Sequence, residues 1–390
     1  MAAVKFDSGP PPWNICLTHH QAYGGLHRCV NDFSRALSAP ILSFDEGGPC
    51  NPPQGVGGPP AAPDIHTIPC RGSLFLRGAH SLSRGAAAEA EALTQQAPWL
   101  VCHSLFRAHN SWVEGWSKRH RRPYWAVPHG CLDPWGLKQR ALVKRLWLKW
   151  VGSSYFQQAS RVIFATTRER DKAARWVSPR QSVVIPWPVT LPDEGGRERA
   201  RELWRQRLSL PADARVLLFV GRLHSMKRPL ETIAAFCRAV PQRTHLVVVG
   251  MDGNLSRDRV AASMPEAAAG RVQVVGPLHG DALTAAYLGS DGFVSLSFRE
   301  NFGYSTADAL ASGIPVILAP GNDLGPDLEM VDCAWLLPNN SREAAVEAMS
   351  AFDRSSAPRL RAMGRAGRMW ASDTLSRERF EMSLRHLFPA

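Results

Sequence analysis

The chain has little that would commit it to a membrane, an oxidising compartment or a metal. Across its 390 residues no apolar run reaches the length of a membrane-spanning helix. Met1–Pro12 lacks the charged and apolar regions of a signal peptide, so a cytoplasmic protein is expected. The eight cysteines, Cys16, Cys102 and Cys237 among them, form no CxxC pair, which argues against a zinc site and against a disulfide framework. No internal repeat is evident.

What is present is unevenly spread. The net charge of +12 is carried almost wholly by residues 1–190, which hold 22 Lys and Arg against 11 Asp and Glu. Such asymmetry points to a polyanionic surface facing the first half, unless the cations merely solvate one face. The basic residues of 118–150 follow no nucleic-acid motif, so nucleic acid is the less expected partner. The stretch Leu137–Val151 gives the charge a shape. On a helix, Leu142, Leu146 and Trp150 stack in one row with Val143 and Trp147 beside them. Lys138, Arg145 and Lys149 flank that arc on one side and Arg140 and Lys144 on the other, with Lys118, Arg119, Arg121 and Arg122 upstream. The arc packs into a core or docks on an anionic membrane; docking is the expectation carried forward.

The length suggests two domains, read here as 1–190 and 191–390, with the last helix free to pack back on the first. Short apolar runs alternate with helical stretches, the pattern of parallel βαβ units. Strands are expected at Trp13–Thr18, Ile41–Phe44, Asp64–Ile68, Trp99–Cys102, Tyr124–Val127, Val162–Ala165 and Ser182–Ile185. The second half offers Arg215–Val220, His245–Val249, Val272–Val275, Gly292–Leu296, Pro315–Leu318 and Ala334–Leu337. The fold class is therefore α/β, two tandem Rossmann-like, doubly wound parallel sheets, whose ligands bind at the carboxyl ends of strands. Pro186–Val189 leading into Pro192–Arg199 reads as the linker, and the Gly- and Pro-rich Glu46–Pro63 as a surface loop.

The densest chemistry follows the first strand of the second half. Gly221 at the strand end permits a tight turn, and Arg222 and Lys227 place two cations at the mouth of the sheet. A guanidinium and an ammonium suit the oxygens of a diphosphate. After the strand at 292–296 come Glu300, Asn301, Phe302, Gly303 and Tyr304, then a helical run containing Asp308 about two turns along. The amides at such a helix start attract phosphate. Glu300 can accept hydrogen bonds from sugar hydroxyls, and Asp308 can reach a ribose. A solvated basic loop and a plain helix cap are the competing readings.

Gly221–Arg222–x4–Lys227, the Glu300–x7–Asp308 segment and Ala309–Val316 together resemble family 4 (group 1) retaining glycosyltransferases of the GT-B fold, the similarity running from about 214 to 340. The resemblance implies two Rossmann-like domains with an interdomain cleft. It implies that Arg222 and Lys227 hold the donor diphosphate, Glu300 the transferred sugar and position 308 the ribose, with no metal and no cofactor. The absence of Asp-x-Asp agrees with that and argues against the metal-dependent alternative fold. The chain departs from the family in Asp308, where Glu is usual, and in Pro186–Trp187–Pro188, where Pro-Asn-Gly is common. Tyr23–Gly24–Gly25 resembles the family's glycine loop. Val127–Pro128–His129–Gly130 with Leu132–Trp135 resembles a subset of bacterial enzymes that build surface polysaccharides, in which His129 would face sugar and acceptor; His103 is a further candidate. The implied partners are a UDP- or GDP-linked sugar and a glycan or lipid-linked acceptor, met at the inner face of the cell membrane. A nucleotide-sugar epimerase, or a nucleic-acid-binding module with a vestigial sugar site, are the alternatives.

Overall fold

A computed structural model describes residues 9–17, 19, 24–45, 63–69, 82–239, 243–268 and 270–388. Tyr23, Thr18 and nearly all of the 46–63 loop lie outside the described residues. The chain divides into two compact units, Met1–Trp187 with Phe380–Ala390, and Pro188–Arg379.

The first unit is built on seven parallel strands: β1 (Trp13–Cys16), β2 (Ile41–Asp45), β3 (Ile65–Pro69), β4 (Leu100–His103), β5 (Tyr124–Val127), β6 (Arg161–Phe164) and β7 (Ser182–Val184), ordered β3-β2-β1-β4-β5-β6-β7. The central strands are apolar along most of their length because helices cover both faces; β4 and β5 are buried at every residue. In register, Ile15 lies between Leu42 and Cys102 at the heart of this core.

The second unit repeats the plan with β8 (Arg215–Val220), β9 (Thr244–Val249), β10 (Val272–Val275), β11 (Gly292–Ser295), β12 (Val316–Leu318) and β13 (Ala334–Leu336), ordered β10-β9-β8-β11-β12-β13. Its helices start where the sequence supplies acceptors: Ser256, Ser341 and Ser356 each cap an amide three residues on. In both sheets the chain reverses its winding direction beside the first strand, between β1 and β4 and between β8 and β11. Those two switch points are where a doubly wound sheet opens a crevice for a ligand.

All thirteen strands lie within two residues of their expected positions. The helix expected over Leu137–Val151 is different. It is broken into Pro134–Lys138 and Ala141–Trp147 at Gln139 and Arg140, the latter with φ 52°, and continues as a π-helical turn at Leu148–Gly152. Within Ala141–Trp147, Trp147 stands at the edge of the apolar row, about 140° round from Leu142, and points into the core at 2% exposure, outside the outer arc. Leu142, Val143, Leu146 and Trp150 remain exposed.

Candidate functional site

At the switch point of the second sheet, β8 ends at Val220 and the chain turns through Gly221–Lys227 into a helix at Pro229–Arg238. The turn is held from β9: the Gly221 and Leu223 amides donate to Val249 O (3.0 Å) and Met251 O (2.8 Å), and Ser225 N–H donates to Asn254 Oδ1 at 2.9 Å. Gly221 does not have the left-handed backbone expected of a tight-turn glycine, and a Cβ there would meet nothing closer than 3.7 Å. The close approach belongs to Gly250, whose Cβ would stand 2.0 Å from Gly221 O. Arg222 is exposed and forms no ion pair with any described residue. Lys227 is partly buried and turns the other way, onto Glu300.

Glu300 is fixed by its backbone. Its N–H donates to Gly321 O at 2.8 Å, and its carbonyl accepts from Asp323 N–H at 3.0 Å. Its Oε1 accepts from Ser297 Oγ at 3.0 Å and from the Lys227 ammonium. Phe298 N–H donates to Met226 O at 2.9 Å, tying the two loops together. The cation expected on the diphosphate and the carboxylate expected on the sugar are therefore in contact, their side chains 21% and 11% exposed.

The helix beyond starts at Tyr304 and runs to Ala311 with Gly303 as its N-cap at φ 73°. A Cβ on Gly303 would also crowd Asn322 at 3.1 Å, so glycine is required there. Asn322 in turn donates to Thr306 Oγ1 at 2.8 Å. Thr306 and Ala307 are the first residues of this helix whose N–H donates to a backbone carbonyl, both to Gly303 O. The amides before them, at Gly303–Ser305, are beyond reach of intrahelical acceptors, the situation that favours a bound anion. Phe302 is buried, and its ring meets Tyr304 edge-on at 5.0 Å. The Asn301 side chain is half-buried with its Oδ1 unpartnered. Because the helix starts late, Asp308 is half-buried little more than one turn from the cap, not two.

Sequence reasoning missed the supports of this site. Ser297, Gly321 and Asn322 act through tertiary contacts, although the turn chemistry of Pro320–Asp323 marks a loop at a strand end. Arg228, next to Lys227, takes no place beside it at the mouth of the sheet. It is buried, stacks over Phe298 at 4.5 Å and donates to Leu296 O and Asn340 O.

The first sheet's switch point carries histidines. Gly24 has φ 53° and caps the helix Gly25–Leu37, which begins just after β1; both glycines are exposed. His103 ends β4 and is fully buried. His103 Nδ1 lies 3.0 Å from His129 Nε2, and its Nε2 lies 3.2 Å from Asn14 Oδ1. The order that satisfies all three has His129 Nε2–H donating to His103 and His103 Nε2–H donating to Asn14, which leaves His129 Nδ1 without a proton. Burial holds both rings neutral: it pushes His129 down to about 3 and His103 well below the ordinary imidazole range. His129 and Gly130 both adopt left-handed backbone, at φ 52° and 70°. Glu169 fixes this turn by accepting from Gly130 N–H at 2.6 Å and from Ala165 N–H at 2.8 Å. The Trp187 ring, from the segment that departs from Pro-Asn-Gly, lies 5.9 Å from His129 and 5.5 Å from Phe33. No group of three or more His, Cys, Asp or Glu among the described residues is arranged to hold a metal.

Residues 200–370 match the family described as glycosyl transferases group 1. D-inositol 3-phosphate glycosyltransferases of Corynebacterium glutamicum and Salinispora tropica are 29% and 36% identical over 189 and 138 residues, 47% and 33% of this chain. The chain spans less than half the length of these relatives, 45% and 29%. Sucrose-phosphate synthase from Thermosynechococcus elongatus superposes with a TM-score of 0.73 over 97% of this chain and 98% of its own, at 21% identity. HepE of Anabaena in complex with UDP and glucose gives 0.73 over 96% and 98%, at 16% identity. At such identities the likeness establishes the fold, the GT-B arrangement of two Rossmann-like domains. Residues 200–370, which contain the Lys227–Glu300 pair and the helix beside it, thus resemble a group 1 glycosyltransferase domain within a chain of GT-B fold.

Proposed function

We propose that the chain moves a sugar from a nucleotide-diphosphate sugar to an acceptor with retention of anomeric configuration and without a metal. The observation that carries this is the meeting of Lys227 with Glu300 at the second switch point, beside the helix that begins at Tyr304. In the donor complex Lys227 leaves Glu300 for the diphosphate, joined there by Arg222 and by the amides of Gly303–Ser305. Glu300, released, accepts from hydroxyls of the sugar, while Asp308 takes the ribose. These donors stabilise charge as it develops on the departing diphosphate.

The bond between the anomeric carbon and the β-phosphate oxygen breaks, the acceptor oxygen bonds on the same face, and the leaving phosphate takes the acceptor's proton. His129, neutral and with an unprotonated Nδ1, orients the acceptor or the sugar. The Gly24–Gly25 turn approaches donor phosphate and acceptor through its backbone. The acceptor is a lipid-linked or polysaccharide precursor, met by a cytoplasmic protein held peripherally at the inner face of the cell membrane. No helix among the described residues is long and apolar enough to cross one.

The test is thermal stabilisation by UDP, GDP and their sugar conjugates. A ligand at a hundredfold its Kd stabilises the native state by about 2.7 kcal/mol. The complexes of HepE with UDP and UDP-glucose favour the uridine series as the first probe. No stabilisation by any nucleoside diphosphate or its sugar would remove the assignment.

A further inference from the structure

The first unit carries a surface the transfer reaction does not use. The segments Pro134–Lys138 and Ala141–Gly152 and the turn that follows the helix Thr167–Ala173 enclose a groove of about 800 Å³. Leu137, Ala141, Leu148 and Trp176 form its apolar wall, and Lys138, Lys144, Arg145, Lys149 and Arg175 surround it. Lys144 is tied inward, donating to Gly136 O at 2.6 Å and lying over the Phe106 ring. The other four are exposed and form no ion pair with any described residue. Nothing in the sequence neutralises Lys138, Arg145 and Lys149 locally, because no Asp or Glu occurs between Asp133 and Glu169.

Beside the groove stand Trp135, Leu142, Val143, Leu146 and Trp150, exposed by 44, 71, 55, 36 and 67%. Five of the twelve large exposed apolar side chains among the described residues thus fall within sixteen positions. A soluble surface rarely concentrates apolar groups in this way unless they meet a partner. Aliphatic groups and indoles mixed with unpaired cations suit the headgroup region of an anionic bilayer. The indoles settle at the interface, the aliphatic groups enter it, and the cations meet phosphate. Nucleic acid is the poorer match, since leucine and valine offer bases nothing to stack on.

We infer that this face seats the chain on an anionic lipid leaflet, the groove taking a lipid phosphate headgroup while Leu142 and Trp150 enter the interface. The inference rests on the proposed function only for its purpose, bringing the site to a membrane-borne acceptor; the surface itself belongs to the first unit alone.

Co-sedimentation of the full chain with vesicles tests it. Phosphatidylcholine containing a minority of phosphatidylglycerol should bind the protein at low salt, and phosphatidylcholine alone should not. Replacing Lys138, Arg145, Lys149 and Arg175 with Gln should weaken binding by roughly fivefold per cation, several hundredfold in all. Leu142→Ser with Trp150→Ser, both at exposed positions, should weaken it while leaving the cations in place. Stabilisation by UDP should persist in both variants, which shows that they fold and separates this surface from the donor site. Absence of stabilisation by UDP, GDP and their sugar conjugates in the unmodified chain would sink the transfer reading and leave the vesicle result standing. The inference is overturned if the chain ignores anionic vesicles at low salt or if both variants bind as before. It is equally overturned if a single-stranded oligonucleotide binds more tightly than vesicles, or if the Leu142/Trp150 variant converts a dimer to a monomer.

Discussion

Replacing Glu300 with Gln should push two properties of the protein in opposite directions. Lys227 and Glu300 are 21% and 11% exposed, so their contact lies between a surface pair and a buried one. Surface pairs contribute up to about 1 kcal/mol, whereas breaking a buried pair costs about 3–5. An intermediate figure of about 1–2 kcal/mol is the cost a diphosphate meets when it recruits Lys227. Gln is nearly isosteric, can keep the hydrogen bond from Ser297 Oγ, and carries no charge to hold the ammonium. The Glu300→Gln variant should therefore bind UDP about five- to thirtyfold more tightly, as the released cation is worth that much. Sugar transfer should fall by about ten- to a hundredfold, the worth of a charged hydrogen bond to the sugar hydroxyls. Titration calorimetry with UDP and single-turnover transfer measure the two separately. The double variant with Lys227→Met should erase the gain in UDP affinity, since no cation remains to be released. If Glu300→Gln weakens UDP binding as much as it slows transfer, the pair is a brace for the loops and the competition argument fails.

Arg222→Ala should raise the Kd for UDP by about ten- to a hundredfold, read in the same titration, with an unchanged melting temperature because Arg222 is exposed. His129→Ala should slow transfer far more than it alters UDP binding; steady-state kinetics beside titration will separate the two, and full transfer would reduce the ring to packing. Gly303→Ala should lower stability by about 1–2 kcal/mol in urea unfolding, because a Cβ at φ 73° is strained and crowds Asn322. Acid should destabilise the first unit: burial pushes His129 to about 3 and His109 to about 4, so the unfolded chain takes up protons first as pH falls below the ordinary value near 6.5. Each ring should remove about 2 kcal/mol between about pH 7 and pH 5, and stability independent of pH across that window would contradict the buried neutral pair.

Both sheets were legible in the sequence because their central strands are buried on two faces. Val216–Val220 and Tyr124–Val127 read as unbroken apolar runs with a glycine or proline just beyond them. The loops at 221–227 and 296–303 were legible as well, since glycine, cations and an acid cluster at strand ends. That Lys227 touches Glu300, 73 positions away, follows from β8 and β11 being neighbours across the winding reversal, which no local pattern encodes. The broken helix at Gln139–Arg140 was equally hidden. A hydrophobic period assumes one unbroken helix, whereas a left-handed arginine and a π-helical turn bound a short helix whose edge residue Trp147 faces inward while Trp150 stays outside. Arg228 and Arg222 have the same chemistry on paper, but Arg228 takes a left-handed backbone and is buried over Phe298, whereas Arg222 is exposed.

Glu169 sits on the helix after β6, and one oxygen reaches Gly130 while the other reaches Ala165. The direction in which His129 faces is therefore set by a residue forty positions later, on an element that offers no other candidate for chemistry. A glutamine there would present one acceptor and one donor to two amides that both need acceptors. The mismatch would fall on the turn that carries the imidazole. Substitutions at 169 should behave like damage to His129 while leaving the histidine intact, so residues 129, 130, 165 and 169 form one inherited block.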